Sequence, residues 1–199
     1  MGWPYSAAAA RNRDPIRAVL ARYFDAPGTV LEIGSGTGQH AVYLAAQLPH
    51  LTWRASDQAE ALDGLAARLQ AEAPGLAAPE RLDVHDRPWP LTAVDYVFSA
   101  NTAHILDWAG VEALFQGIGT VLRPGGRFAL YGPFAYDGEH TGPGNQAFDA
   151  ALRRQGQGSG IRDVRALEPL ARSVGLEWLA DEAMPADNRT LIWRCAGSE

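Results

Sequence analysis

Val30-Leu31-Glu32-Ile33 runs straight into Gly34-Ser35-Gly36-Thr37-Gly38-Gln39-His40, and no other stretch constrains the fold as much. A short apolar run ending in spaced glycines reads as a buried parallel strand leaving through a tight loop. The positions of Ala41, Val42, Leu44, Ala45 and Leu48 then read as a helix whose N-terminus faces whatever sits on the loop. Glycine belongs where a side chain would hold a ligand away from the backbone.

The glycine spacing narrows the ligand. A dinucleotide fingerprint, G-x-G-x-x-G/A, requires its third small residue at position 39, which is Gln39. A P-loop requires a lysine, and the chain has none. What stands here is E-x-G-x-G-x-G led by Glu32; a ligand-free strand–helix turn and a dinucleotide enzyme are the competing readings.

Composition excludes several classes. The 199 residues suit a single domain, residues 1–199, with a core that needs no staples. One cysteine, Cys195, rules out a disulfide framework and fits a reducing, cytoplasmic setting. A net charge of -6 argues against a nucleic-acid surface. No run approaches the ~18 apolar residues of a membrane span, and no secretory signal is expected. Met1–Ser6 matches a myristoylation pattern, but without basic residues to support an anchor. Oligomeric state is not legible.

Along the chain, Asp14-Pro15 is expected to cap a helix carrying Ile16, Val19, Leu20, Tyr23 and Phe24. The segment 1–14 before it, with Arg11, Asn12 and Arg13, is expected to fold over the mouth of the site as a lid. Leu51–Ala55 reads as the second strand, ending in Ser56-Asp57. Asp57, placed there, can accept hydrogen bonds from ribose hydroxyls or simply cap the next helix. Arg81–Val84 reads as the third strand and Asp95–Ala100 as the fourth, with Asn101 and His104 just beyond it. A Pro-Gly-Gly turn at 124–126 precedes the fifth strand, Arg127–Tyr131. Residues 132–160 form an insertion over the strand ends, where Asn145 is expected to cap a short helix. Asp163 caps a further helix that Pro169 should kink or break. Two last strands joined by Pro185–Asn188 must be antiparallel.

The loop resembles motif I of the class I S-adenosylmethionine-dependent methyltransferases. The Asp57 region, the Asp83-Val84 pair and the L-R-P-G-G turn at 122–126 resemble later parts of that pattern. Arg11–Ile16, Glu32–His40, Tyr131–Phe134, Gly160–Asp163 and Met184-Pro185 together resemble one small methyltransferase-like family, named as a domain of unknown function, with bacterial and animal members. Asp187 stands where that family carries asparagine. The resemblance implies an α/β, Rossmann-like seven-stranded sheet of order 3-2-1-4-5-7-6, its last strand antiparallel and helices on both faces. It also implies S-adenosyl-L-methionine as cofactor, with Glu32, Gly34, Ser35, Gly36, Gly38, Asp57, Asp83, Val84, Asn101, Arg11 and Asn12 around it.

Methyl transfer from a sulfonium needs alignment, exclusion of water and, for a protonated acceptor, a base. His104, Asn101 and Tyr131 are the expected catalytic residues, His104 as base or as a packing residue. Phe134, His140, Asn145 and Arg162 are expected around a small polar or anionic acceptor, Arg162 as its anion partner or as a brace for the loop. Tyr131, Phe134 and Trp108 are candidate aromatic neighbours of the sulfonium. No metal is expected; Asp83-Val84-His85-Asp86 is the densest ligand-like run. A protein methyltransferase and a non-catalytic cofactor-binding module are the alternatives.

Overall fold

The computed structural model describes residues 4–89, 91–156 and 158–197. The first half of the chain runs α1 (Ala7–Tyr23), β1 (Gly28–Ile33), α2 (Gln39–Gln47), β2 (Leu51–Asp57), α3 (Ala59–Glu72), β3 (Glu80–Arg81) and β4 (Val94–Ala100). Next come α4 (Trp108–Val121), β5 (Leu122–Gly132), β6 (Phe134–Tyr136), β7 (Glu139–His140) and α5 (Pro143–Arg154). The chain closes with β8 (Arg162–Asp163), α6 (Val164–Ser173), β9 (Leu176–Ala183) and β10 (Arg189–Cys195).

Seven strands form one sheet in the order β3-β2-β1-β4-β5-β10-β9. Its left half is parallel, and β10 runs antiparallel to both β5 and β9. This is the expected class I methyltransferase sheet. Strand periodicity divides the core between its faces. Phe128 and Leu130 of β5 pack with Val111, Leu114, Phe115 and Ile118 of α4, whereas Ala129 and Tyr131 face Ile16, Leu20 and Leu44 of α1 and α2. Each large side chain so buried stabilises the fold by about 1.5–3 kcal/mol. No helix among the described residues is long and apolar enough to cross a membrane. The myristoylation-like pattern begins on residues 1–3, outside the described residues, as does the start of the proposed lid.

Several local expectations are corrected. Helix α1 begins seven residues before Asp14: Ser6 is the cap, its Oγ accepting from Ala9 N at 3.2 Å, and Pro15 lies inside the helix. Asp14 instead accepts from the Tyr43 hydroxyl of α2, and Arg13 lies 4.6 Å over the Tyr43 ring. These contacts outweigh the backbone bond that Pro15 cannot make. Pro169 likewise leaves α6 unbroken, because it is exposed while Leu167 and Ala171 anchor the opposite face. Strand β3 is only two residues long, since Asp83 Oδ1 accepts from His85 N at 2.9 Å and turns the chain. Pro124–Gly126 is a bulge within β5, where the register against β4 shifts and Gly125 takes φ +79°.

The insertion holds a small sheet, β7-β6-β8, absent from the sequence reading. Its hairpin turns on Asp137-Gly138, with φ +53° and +83°, the two-residue Asp-Gly signal of a type I′ turn. Asn145 is not a cap but lies within α5, behind Gly142.

Candidate active site

The loop after β1 closes on itself. Gly34 N and Ser35 N both donate to Ser56 O, at 3.1 and 3.0 Å, and Gly38 N donates to Ser35 O at 2.9 Å. Gly36 N donates to Asp57 Oδ2 at 2.6 Å. Four amides of the loop, those of Gly34, Ser35, Gly36 and Gly38, thus have partners within the protein. Gly34 sits at φ +73° with its missing Cβ position 2.7 Å from Thr102 Oγ1, so only glycine fits. At Gly36, φ +54°, nothing lies within 4 Å of that position. The loop is propped from outside by Arg68 of α3, whose Nη1 donates to Thr37 O at 2.7 Å.

Beyond the loop lies a cavity of about 370 Å³. Its walls come from the loop (Gly34, Ser35, Gly36), from the end of β2 (Asp57, Gln58), from Leu82 and Val84, and from Asn101, Ile105 and Leu106 after β4. Ser6, the cap of α1, Ala9 of α1 and His40 of α2 close it above. Asp57 is the one lining residue that carries a formal charge, and no arginine is among the lining residues. This is the mouth of an open α/β sheet at its strand carboxyl ends.

Two residues at the start of α2 grip α1. Ser6 N donates to Gln39 Oε1 at 2.5 Å while Gln39 Nε2 donates to Ser6 O at 3.2 Å. His40 Nε2 meets Asn12 Oδ1 at 2.7 Å, and burial pulls the His40 pKa down to about 4. Gln39, the residue that breaks the dinucleotide spacing, is therefore a clamp. Sequence reasoning passed over both it and Arg68; its place just after three glycines is the only signal.

The other expected cofactor residues stand at different depths. Glu32 is buried beneath the loop, outside the cavity lining, with Trp53 Nε1 donating to its Oε2 at 2.8 Å. Burial raises its pKa to about 7, against the lowering effect of the Trp53 and Ser35 hydrogen bonds. Asp83 stands behind Leu82 and Val84, accepting from Gln58 Nε2 at 3.2 Å. Arg11 is exposed, and together with the Asn12 and Asn188 amides it opposes the upward shift that burial imposes on the Tyr131 phenol.

Past β4 the chain turns at Asn101, whose φ is +59° and whose N donates to Tyr131 O at 2.9 Å. His104 is buried, with its ring edge-on to Phe148 of α5 at 5.3 Å. Burial first, and then the nearby Arg162 charge, lower the His104 pKa to about 4. A Cβ on Gly132 would stand 3.7 Å from His104 Nδ1, 4.0 Å from Asn101 Oδ1 and 4.0 Å from Phe134 Cε2. Asn101, His104 and Phe134 thus meet around one glycine.

Arg162 does not reach a free space. Its guanidinium donates to the carbonyls of Ala103 (3.0 Å), Gly158 (2.9 Å) and Leu106. With Ser159 Oγ on Ile105 O at 2.7 Å and Gly160 N on His104 O at 2.9 Å, it straps the insertion to the loop after β4. Asn145 braces the β9–β10 turn, its Nδ2 donating to Asp187 O at 2.9 Å. His140 faces Asp149, Nε2 to Oδ2 3.5 Å, and Trp108 is half-exposed with Nε1 on Glu112. Among the described residues no three His, Cys, Asp or Glu side chains gather as metal ligands.

Comparison with known proteins bears on both fold and family. The chain is similar to methyltransferase tpcM of Aspergillus fumigatus, 36% identical over 120 residues that cover 55% of this chain and 33% of the relative. An O-methyltransferase family protein from Burkholderia thailandensis superposes with TM-score 0.82 at 18% identity, over 96% of this chain and 58% of that one. The S-adenosylmethionine-dependent methyltransferase SibL in its apo form gives 0.81 at 21%, over 96% and 56%. The chain therefore spans about a third of the curated relative and just over half of these solved chains. A family model described as "Protein of unknown function (DUF938)" matches residues 3–195, and the chain belongs to that family, built on the class I methyltransferase fold.

Proposed function

We propose that this chain transfers a methyl group from S-adenosyl-L-methionine to a small-molecule acceptor. One observation carries the reading: the cavity lies against a glycine loop folded onto the end of β2, and the single formal charge of its lining is the carboxylate of Asp57. Such a surface repels phosphates and suits a ligand with positive charge and ribose hydroxyls. The open side of Gly36 leaves room for the ligand to lie against backbone. The similarity to methyltransferase tpcM and to the S-adenosylmethionine-dependent methyltransferase SibL points the same way.

When bound, the cofactor supplies a methyl group on a sulfonium. Asp57 accepts from the ribose hydroxyls, Leu82 and Val84 flank the adenine with Asp83 behind them, and Gly34, Ser35, Gly36 and Gly38 shape the loop against the remainder. Arg11 and Asn12 hold the methionine end from α1, with Glu32 setting the loop from below. Asn101 and Tyr131 frame the reacting end. His104 takes the acceptor's proton; a weak base suffices, because that proton becomes strongly acidic as the new bond to carbon forms. We place the enzyme in the cytoplasm, where the lone Cys195 stays reduced.

Calorimetry tests the reading. S-adenosylhomocysteine should bind in the micromolar range and NAD should not. Asp57→Ala should weaken S-adenosylhomocysteine binding by roughly 1–3 kcal/mol, the scale of charge-assisted hydrogen bonds. Tight NAD binding with none for S-adenosylhomocysteine would overturn it.

A further inference from the structure

His40 borders the cavity with a ring that the protein uses on one side only. It lines the wall from the start of α2 and is 8% exposed. Its Nε2 meets Asn12 Oδ1, and an amide oxygen can only accept, so Nε2 carries the ring proton. The other half of the same amide opposes the rise that burial imposes on the Tyr131 pKa, as a donor to the phenol oxygen does. Asn12 is thereby oriented from two sides, and burial keeps the imidazole neutral. Nδ1 is left as a lone-pair acceptor. It has no partner among the described residues, and unlike Nδ1 of His140 it is not sealed from solvent. The ring opens onto the cavity that it lines.

Strands β3, β2, β1 and β4 stand side by side in that order, and the cavity runs across their carboxyl ends. With the ribose on Asp57 at the end of β2 and the adenine at Leu82 and Val84 beyond β3, the methionine end of the cofactor lies over β1. Its roof there is Ser6, Ala9 and His40. The neighbouring side-chain oxygens are engaged. Ser35 Oγ accepts from Ser56 N at 3.3 Å, and Gln39 Oε1 accepts from Ser6 N and, at 3.1 Å, from Thr37 Oγ1. His40 Nδ1 is the acceptor that has no other use. The donor at this end of the ligand is its α-ammonium, and a bond from ammonium to neutral imidazole is charge-assisted.

We propose that His40 Nδ1 receives the α-ammonium of the cofactor, and that Asn12 is the positioning residue that holds the ring in the tautomer able to accept it. The inference rests on the methyl-transfer reading. It gives the pair at the start of α2 two different tasks: Gln39 grips the roof helix, whereas His40 reads the ligand beneath it and reports to the same helix through Asn12. A ligand that keeps the nucleoside but lacks the amino group leaves the ring without its partner.

Calorimetry at pH 7 tests this with three probes: S-adenosylhomocysteine, its analogue with hydrogen in place of the α-amino group, and 5′-methylthioadenosine, which lacks the amino-acid part. Wild type should bind S-adenosylhomocysteine about tenfold or more tighter than the deaminated analogue, the scale of a charge-assisted hydrogen bond. His40→Phe keeps a ring against Phe98 and should erase that preference while 5′-methylthioadenosine affinity holds within about twofold. Asn12→Ala should shrink the preference in the same sense. Nitrogen NMR of the wild-type His40 ring decides the matter without a variant. Nδ1 should be unprotonated in the free protein, and its resonance should move with S-adenosylhomocysteine but not with 5′-methylthioadenosine. Equal affinity of wild type for S-adenosylhomocysteine and the deaminated analogue overturns the inference, as does a preference that survives in His40→Phe, or a protonated Nδ1. Failure of both S-adenosylhomocysteine and 5′-methylthioadenosine to bind overturns the methyl-transfer reading instead, so the two failures are told apart.

Discussion

His40 and His104 are both imidazoles held near pKa 4, but in different company. His40 is tied to Asn12, whereas His104 has only a ring edge and a nearby guanidinium. The sign of their effect on stability follows. Each folded pKa lies below the ordinary histidine value near 6.5, so each favours the fold above that pH. That stability is lost as pH falls from about 6.5 toward 4 and the unfolded chain binds protons the fold refuses. Proton NMR of the His104 ring should show a midpoint close to 4, and a midpoint near 6.5 would contradict its burial. The position of His104 was legible because it follows an apolar strand. Its surroundings were not, because Gly132 and Phe148 come from distant parts of the chain and leave no local signature.

At the level of elements, the roof of the cavity is helix α1, held through Ser6–Gln39, Asn12–His40 and Asp14–Tyr43. The first of these is a reciprocal pair of backbone bonds to one side chain, worth about 1–3 kcal/mol together. Gln39→Ala should therefore speed hydrogen exchange of the amides from Ala7 to Arg13 by roughly 5–100-fold, with the rest of the sheet unaffected. Equal rates in both proteins would mean that the apolar face of α1 alone holds it down. Asp14-Pro15 misled the sequence reading because a cap followed by proline is a strong local signal. Tertiary contacts to Tyr43 and His40 carried the helix through it. The Asp137-Gly138 hairpin is the opposite case, a local signal present in the sequence and passed over.

For the whole molecule, the sheet order was legible, since the central parallel strands β1, β4 and β5 each carry an apolar run and the last connection is too short for a crossover. What the order did not convey is that a carboxyl lies buried under the main loop. Burial raises the Glu32 pKa to about 7, so the fold holds a proton that the unfolded chain releases near 4.5. Stability from this group is full below about 4.5 and is lost as pH rises to 7, opposite in sign to the histidines. Glu32→Gln isolates it. Relative to wild type, the variant should gain stability between pH 5 and pH 8, by up to about 3 kcal/mol in urea unfolding. A difference independent of pH would place the charge of Glu32 in solvent.

Arg162 has a consequence for inheritance and engineering. One planar group serves carbonyls of Ala103 and Leu106 on one side and Gly158 on the other, which lysine, with its single ammonium, cannot reproduce. The insertion and the loop bearing His104 are consequently one transplantable unit, not two. A graft that exchanges residues 133–161 for the insertion of another methyltransferase fold must bring its own keystone. Without it the carbonyls of the recipient loop are left bare and Asn101 and His104 lose the frame that positions them, so changes in this region are expected to be tolerated as side-chain replacements around a fixed frame.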